Sequence, residues 1–347
     1  MPDRASSRPS ILQIAQQAGV SPATVSRAFN RPELLQAETL AHIQAIAQQA
    51  GFRPNRVGRS LRSGSTRTIG LILPTLSNPV FAECFEGAEQ CAREAGYSVM
   101  LTVTSYDPAL ESAAVRNLLD HQVEGLILTV ANAARNKVLP PLHDSGRPYV
   151  LAYNESRQHP YVSVDNKRAA QDMVAHLHSL GHHRIAMVTG PLSASDRARL
   201  RLRGACARAE KLGMAPVQHW VMPSHTDADA ESIRAALSGA DAPTALFCSN
   251  DRLAVSLIAQ LAQIGIAVPR DVSVCGFDGT DISALLTPAL TTIRQPSHDI
   301  GAHACRLLLD HIHRQQALPS LSLPHRLLTG GTVAAHHDQL TATSLAA

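Results

Sequence analysis

Hydrogen-bonding side chains are crowded into the stretch GVSPATVSRAFN, residues 19–30. Serine, threonine and asparagine can donate to and accept from base edges and phosphates, and Arg27 carries a planar fork that matches two acceptors of guanine at once. A second concentration of chemistry is DRARLRLRG, residues 196–204, in which Arg197, Arg199, Arg201 and Arg203 offer forks suited to an anion. Histidines 176, 178, 182 and 183 form a third. His178 and His182 have the i, i+4 spacing of a helical metal site, but LGHHRI reads as a helix end, a turn and a strand start with no carboxylate beside it, so no metal is expected. Six cysteines, Cys84, Cys91, Cys206, Cys248, Cys275 and Cys305, include no Cys-x-x-Cys pair and read as reduced core thiols.

The elements that must position these groups follow from periodicity. Ile11, Leu12, Ile14, Ala15 and Ala18 lie at helical spacing, and Gly19 ends that helix where a left-handed residue is wanted. Ser21 is a good N-cap and Pro22 suits the first helical position, so a second helix runs through Val25 to about Phe29. Val20, Val25 and Phe29 then face inward, while Ala23, Thr24, Ser26, Arg27 and Asn30 face outward on a helix that could enter a major groove. A third helix is indicated by Ala37, Ile43, Ile46 and Ala47. Charge agrees with a nucleic-acid module. Residues 1–68 hold nine arginines against three acids, whereas the remainder holds 22 basic and 25 acidic residues.

Beyond residue 68 the pattern changes. Apolar or β-branched runs at Ile69–Leu73, Val99–Val103, Gly125–Val130, Tyr149–Ala152, Ile185–Val188, Ala245–Cys248 and Val272–Val274 alternate with helical stretches such as Ala82–Glu94, Arg168–Leu180 and Arg252–Ile264. Alternation of this kind implies parallel sheets in an α/β body, with room for two lobes and a ligand cleft beyond the strand carboxyl ends. No GxGxxG follows the first strand, and neither GxxxxGK[ST] nor GxSxG occurs, so nucleotide-enzyme and hydrolase readings lack their signals. Without a long apolar run or a secretory leader, the chain reads as soluble and cytoplasmic.

The runs ILQIAQQAGVSPATVSRAFN, GFRPNRVGRSLRSG and TIGLILPTLSNPVF, continued by LGHHRIAMVTGP, LRLRG, FCSNDRLA, VSVCGFDGTD and LTTIRQP, resemble the lactose/galactose-repressor (LacI/GalR) family over roughly residues 10–335. The resemblance implies a helix-turn-helix headpiece (1–54), a hinge helix and linker (55–67), a two-lobed periplasmic-binding-protein-like effector and dimerisation domain (68–335) and a flexible tail (336–347). Its partners would be a double-stranded DNA operator, a small effector and a second copy of the chain; no membrane partner and no cofactor are expected. Ser21, Ala23, Thr24, Ser26, Arg27 and Asn30 become the DNA-facing set. Pro22 and Ala23 occupy positions that often carry specificity, yet neither side chain can donate, so reading there would be apolar. Gln36 and Leu40 stand where many members have a capping serine and a basic residue.

In the hinge, the resemblance assigns Asn55, Arg56 and Arg59 to phosphates or the minor groove and Leu61 to a wedge between base pairs. Gly58 weakens that helix by about 1 kcal/mol relative to alanine. For the cleft it selects Asn78, Phe81, Tyr153, Arg201, Asn250, Asp278 and Gln295. Tyr153 replaces an aspartate that many sugar-binding members carry, and Arg201 is the family's ligand arginine, with one further arginine of the cluster expected to reach the cleft. The effector expected is a sugar acid, with a neutral sugar as the alternative. The leading function is an effector-controlled repressor of carbohydrate or sugar-acid genes; a solute receptor and a sugar-processing α/β enzyme with an appended regulatory domain are the competing classes. The tail HHDQLTATSLAA has no heptad, which favours a dimer over a tetramer.

Overall fold

A computed structural model describes residues 9–52 and 65–336. The chain divides into two compact units, Met1–Thr66 and Arg67–Ala347.

In the first unit, α1 (Ile11–Gln17) opens with a capping box: the Ser10 hydroxyl accepts from the Gln13 amide, and the Gln13 side chain accepts from the Ser10 amide at 2.7 Å. Gly19 turns the chain at φ +66°, and α2 (Pro22–Asn30) follows, capped by the Ser21 hydroxyl on the Thr24 amide at 3.1 Å. Helix α3 (Ala37–Gln49) closes the unit. Its N-cap Gln36 makes no side-chain capping bond, consistent with the loss of the serine usual there. Ile14, Ala15, Ala18, Val25, Ala28, Ile43 and Ala47 form the core, with Phe29 and Phe52 packed at 5.5 Å on its margin. Leu12, expected among the helical apolar positions, is 68% exposed: it lies about a third of a turn off the stripe made by Ile14, Ala15 and Ala18.

The body contains two six-stranded sheets of equivalent order. In the first lobe, β1 (Thr68–Leu73) lies between β2 (Ser98–Val103) and β3 (Leu126–Leu128), followed outward by β4 (Tyr149–Ala152), β5 (Tyr161–Val164) and β11 (Leu321–Leu323). In the second, β6 (Ile185–Thr189) lies between β7 (Gln218–Val221) and β8 (Ala245–Cys248), followed by β9 (Ser273–Asp278), β10 (Thr291–Arg294) and β12 (Arg326–Leu328). All pairings are parallel except β10 with β12. The chain crosses between lobes three times: after β5, after β10, and between β11 and β12. Five strands, β5, β7, β10, β11 and β12, have no counterpart in the apolar runs. They are short, and β10 is built on buried threonines whose hydroxyls are satisfied by Gly330 and Asp251 rather than by apolar packing. Val272–Val274 is the start of a longer strand that continues through Gly276 and Phe277 to Asp278.

Four helices of the body follow a polar cap, and the three of them foreseen from periodicity begin earlier than it indicates. The four are α4 (Pro79–Glu94), α7 (Asn166–Ser179), α8 (Asp196–Lys211) and α10 (Asp251–Gln263). The remaining helices of the body are α5 (Pro108–Asp120), α6 (Leu139–Asp144), α9 (Ala230–Leu237), α11 (Asp281–Leu285) and α12 (Ser297–Arg314). His182 falls beyond the end of α7, so His178 and His182 do not share a helix face; the His182 ring is held between Thr244 Oγ1 at 2.8 Å and the Ala334 carbonyl at 2.9 Å. Among the cysteines, Cys84, Cys248, Cys275 and Cys305 are core thiols and Cys91 is half-buried, but Cys206 is exposed because it faces outward on α8. No helix among the described residues is long and apolar enough to cross a membrane.

Helices α4 and α12 touch backbone to backbone. A methyl group on Gly87 would stand 1.9 Å from the His298 carbonyl oxygen, and one on Gly301 would stand 1.9 Å from that of Cys84. Gly87→Ala should therefore lower the stability of the body by about 1–3 kcal/mol through overpacking. Glu86→Ala, at an exposed neighbour, should stay within about 0.5 kcal/mol. Urea denaturation followed by circular dichroism compares the two, and equal midpoints would remove the close-packing argument.

Candidate effector cleft and nucleic-acid interface

On α2, Ala23, Ser26, Arg27 and Asn30 stand at i, i+3, i+4 and i+7, a single stripe opposite the buried Val25 and Ala28. Arg27, Ala23 and Asn30 are exposed, and Thr24 and Ser26 half-buried. Ser21 is exposed, but its hydroxyl is engaged locally, capping α2 and contacting Thr24 Oγ1 at 2.9 Å. The Asn30 amide donates back to the Ser26 carbonyl at 2.8 Å and to the Ser26 hydroxyl at 3.1 Å, which fixes both side chains on the stripe. The other DNA-directed residues, Asn55, Arg56, Arg59 and Leu61, lie outside the described residues.

In the body, a cavity with about 380 Å³ of non-atom space, partly open to solvent, lies beyond the carboxyl ends of the strands. The structure brings Asn78, Phe81, Tyr153, Arg201, Asn250, Asp278 and Gln295 to its wall. At its base the buried Asp278 carboxylate faces Arg201 Nη1 at 3.7 Å and accepts from Gln295 Nε2 at 2.8 Å and, across the lobe boundary, from Asn78 Nδ2 at 2.9 Å. Burial pushes the Asp278 carboxyl upward, and the Arg201 guanidinium opposes that shift most. Arg201 is itself lowered to about 10 by burial, against the pull of Asp278, and so keeps its charge at neutral pH. Its Nε donates to Asn166 Oδ1 at 2.9 Å and its Nη1 to the Ser249 carbonyl at 2.5 Å, and its plane lies 3.5 Å over the Phe277 ring.

Three cleft residues are also helix caps. Asn78 precedes α4 and accepts from the Val80 amide at 3.4 Å; Ser195 precedes α8 and accepts from Ala198 at 3.3 Å; Asn250 precedes α10 and accepts from Leu253 at 2.8 Å. Three helix N-termini, each with partial positive charge, thus converge on one cavity. Tyr153 sits at φ +68° with its hydroxyl donating to the Val80 carbonyl at 2.7 Å, and its ring meets Phe81 edge-on at 5.4 Å. Burial holds its phenol neutral, so the position supplies a wall rather than a charge.

Further residues complete the lining. Arg197 is buried one turn before Arg201, its Nη1 donating to the Val130 carbonyl at 2.9 Å and lying 3.5 Å from Asp196. Arg199 is half-buried with its Nη2 bonded to the Leu192 carbonyl at 2.7 Å, and Arg203 is exposed; neither lines the cavity. Tyr106 from the first lobe and His225 from the second lie ring over ring at 4.5 Å and 31°. Burial, followed by the positive charge of Arg197, lowers His225 to about 4, leaving a neutral imidazole at neutral pH. Three buried polar atoms of the lining, His225 Nε2, Ser249 Oγ and Gln295 Oε1, have no hydrogen-bond partner. Buried polar atoms are seldom left so, and three in one cavity leave hydrogen-bonding capacity that a polar ligand could use. Tyr106, His225 and Ser249 lie in or at the edge of loops that carry no periodic pattern; their one sequence signal is a place just past a strand.

Residues 10–55 match the model for bacterial regulatory proteins of the lacI family, and residues 174–333 match a periplasmic binding protein-like domain. Catabolite control protein A of Priestia megaterium is 33% identical over 91% of this chain and 97% of its own length. The HTH-type transcriptional repressor CytR of Escherichia coli K12 is 31% identical over 87% and 89%. Among solved structures, the lac repressor dimer bound to operator and the anti-inducer ONPF superposes with a TM-score of 0.83 at 27% identity, covering 95% of this chain and all of that one. A LacI family regulator from Enterococcus faecium with bound ribose matches at a TM-score of 0.67 and 26% identity, over 78% of this chain and all of its own. These relatives are transcriptional regulators rather than enzymes, and the chain belongs with them to the lacI family of bacterial regulatory proteins, as a DNA-binding transcriptional regulator.

Proposed function

We propose that the protein is an effector-controlled repressor that binds an operator as a homodimer and takes a sugar acid in its cleft. The observation that carries the ligand class is the pairing of two buried arginines, Arg197 and Arg201, with three helix N-termini around one cavity. Asp278 is already compensated by Arg201, Asn78 and Gln295, and Asp196 offsets Arg197 only in part, being shared with Asn154 and the Ala133 amide. A ligand carboxylate matches an arginine fork in a way that a neutral hydroxyl does not. The unpartnered atoms of His225, Ser249 and Gln295 suit ligand hydroxyls, and Phe81 with Tyr153 offers an apolar face for a carbon skeleton. The ribose-bound relative favours a polyhydroxylated effector, and a neutral sugar is the second reading.

For DNA, the stripe of Ala23, Ser26, Arg27 and Asn30 on α2 supports major-groove reading, with Thr24 and Ser21 at its start. On sequence alone, Asn55, Arg56 and Arg59 are assigned to phosphates or the minor groove and Leu61 to a wedge between base pairs. The operator-bound lac repressor dimer supports a two-fold arrangement with paired half-sites.

Arg27→Ala should lose about 1–3 kcal/mol on an operator selected from random duplexes, with a smaller loss on random DNA, because base contacts carry discrimination and phosphates carry affinity. Gel-shift titrations on both duplexes measure this; equal losses would make Arg27 a phosphate contact. For the cleft, titration calorimetry with five- and six-carbon aldonates, each against its neutral sugar, should show at least one acid binding about tenfold or more tighter than its neutral partner. Arg197→Gln should remove that preference by deleting one fork. A neutral sugar that outbinds its own acid would overturn the carboxylate reading and leave the repressor assignment standing.

A further inference from the structure

The glycine contacts between α4 and α12 fix how the two helices pair. Gly87 lies against His298 and Ala302, and Gly301 lies against Cys84 and Ala88, so their backbones touch; α4 joins the parallel strands β1 and β2 and α12 leads into β11, which is parallel to β5 in the same sheet, so the two helices run in the same direction. One turn further along each helix stand Cys91 and Cys305, on the same side of the contact and near enough that each thiol shifts the ionisation of the other. Cys91 is half-buried and Cys305 buried, and both belong to the side of α4 and α12 that packs in the first-lobe core, away from the effector cleft. A disulfide requires Cα atoms closer than most helix pairs allow, and packing over glycine provides that approach.

We propose that Cys91 and Cys305 form a redox-modification site, in which a hydroperoxide converts the dithiol pair into an intramolecular disulfide joining α4 to α12. Cys91 is the attacking sulfur: the neighbouring Cys305 thiol and the Arg306 guanidinium favour its thiolate against the penalty of burial, and its partial exposure admits a small oxidant. The thiolate attacks one peroxide oxygen and the O–O bond breaks. Cys91 becomes a sulfenic acid, and the released hydroxide takes up the proton Cys91 had lost, giving water. With the neighbouring negative charge gone, Cys305 is no longer held protonated by it. The Cys305 sulfur attacks the Cys91 sulfur, the S–O bond breaks, and the leaving hydroxide takes the Cys305 proton as a second water. Two thiols are oxidised by two electrons and one hydrogen peroxide is reduced to two waters.

The crosslink ties the helix headed by Asn78 and Phe81 to the helix that follows Gln295, two parts of the cleft wall. Cys84, whose thiol burial raises to about 12, and the exposed Cys206 serve as internal controls.

Reduced full-length protein is treated with one equivalent of hydrogen peroxide, blocked with N-ethylmaleimide, digested and read by mass spectrometry. The expected product is a Cys91–Cys305 crosslinked peptide that takes up most of Cys91 and is reversed by dithiothreitol, with Cys84 still free. In Cys305→Ser, Cys91 should stop at a sulfenic acid that dimedone traps; in Cys91→Ser, Cys305 should remain alkylatable. The oxidised wild type should melt higher than the reduced protein, with no such difference in Cys91→Ser. Alkylation of Cys91 and Cys305 unchanged by peroxide, oxidation confined to Cys206, or a disulfide only between copies of the chain would overturn the proposal.

Discussion

Everything around the cleft is arranged about one buried carboxylate. Taking Asp278 out of water is costly unless a counter-charge and hydrogen bonds replace the solvent, and the fold supplies Arg201, Gln295 and Asn78 for that purpose. These donors come from α8, from the segment after β10 and from the cap of α4, so the local requirement at one side chain binds distant parts of the chain together. A buried pair that loses one member costs about 3–5 kcal/mol, which means positions 78, 201, 278 and 295 cannot vary independently. Arg201 is held in turn by Asn166, the Ser249 carbonyl and the Phe277 ring, and Asn166 by Glu155 at 2.9 Å. Rigidity of this kind presents a ligand with groups already oriented.

The caps show why fold and site share residues. An asparagine or serine before a helix satisfies an orphan amide, and the same position lies at the end of a βα unit, where the cavity forms. Asn78, Ser195 and Asn250 each do both. Asn250 also donates to the His225 carbonyl at 2.8 Å, so the cap of α10 anchors the loop that places the imidazole over Tyr106.

Local rules made the headpiece legible: the glycine at φ +66°, the serine cap and the proline at the helix start all act within a few residues. In the body the βα alternation was visible in strands carrying an apolar run, as in β4 or β8 and even in the partly exposed edge strand β2, and invisible where threonine hydroxyls or polar edge positions interrupt that run, as in β10 and β7, or where a buried strand is as short and mixed as β5. The cleft residues named before the structure came from resemblance, because nothing in the neighbourhood of Asp278 announces that Asn78 lies 2.9 Å away. Arg197 was detectable as a charge but not as a buried one. Its burial depends on the Val130 carbonyl, contributed by the other lobe. Tyr106 and His225 were missed for the same reason: their meeting is a property of two loops in different lobes, not of either segment.

The lobes hold one another through groups of their own. Asn78 bonds Asp278, Asn154 bonds Asp196 at 2.8 Å, the Asp196 amide donates to the Ala131 carbonyl at 2.8 Å, Arg197 reaches Val130, and Tyr106 stacks on His225. A ligand in the cleft therefore does not close two indifferent surfaces. On the sugar-acid reading, a carboxylate arriving at Arg197 would compete with the Val130 carbonyl and Asp196 for the same guanidinium, and hydroxyls would add bonds at Gln295 Oε1 and His225 Nε2, which have no partner. Such binding would exchange some lobe-to-lobe contacts for contacts through the ligand, and only the difference between the two sets could shift the balance between lobe arrangements. Affinity and regulatory effect are then separable quantities: a ligand that replaces each lost contact with an equal one binds without changing the arrangement, while one that favours Arg197 over Val130 draws on the seam itself.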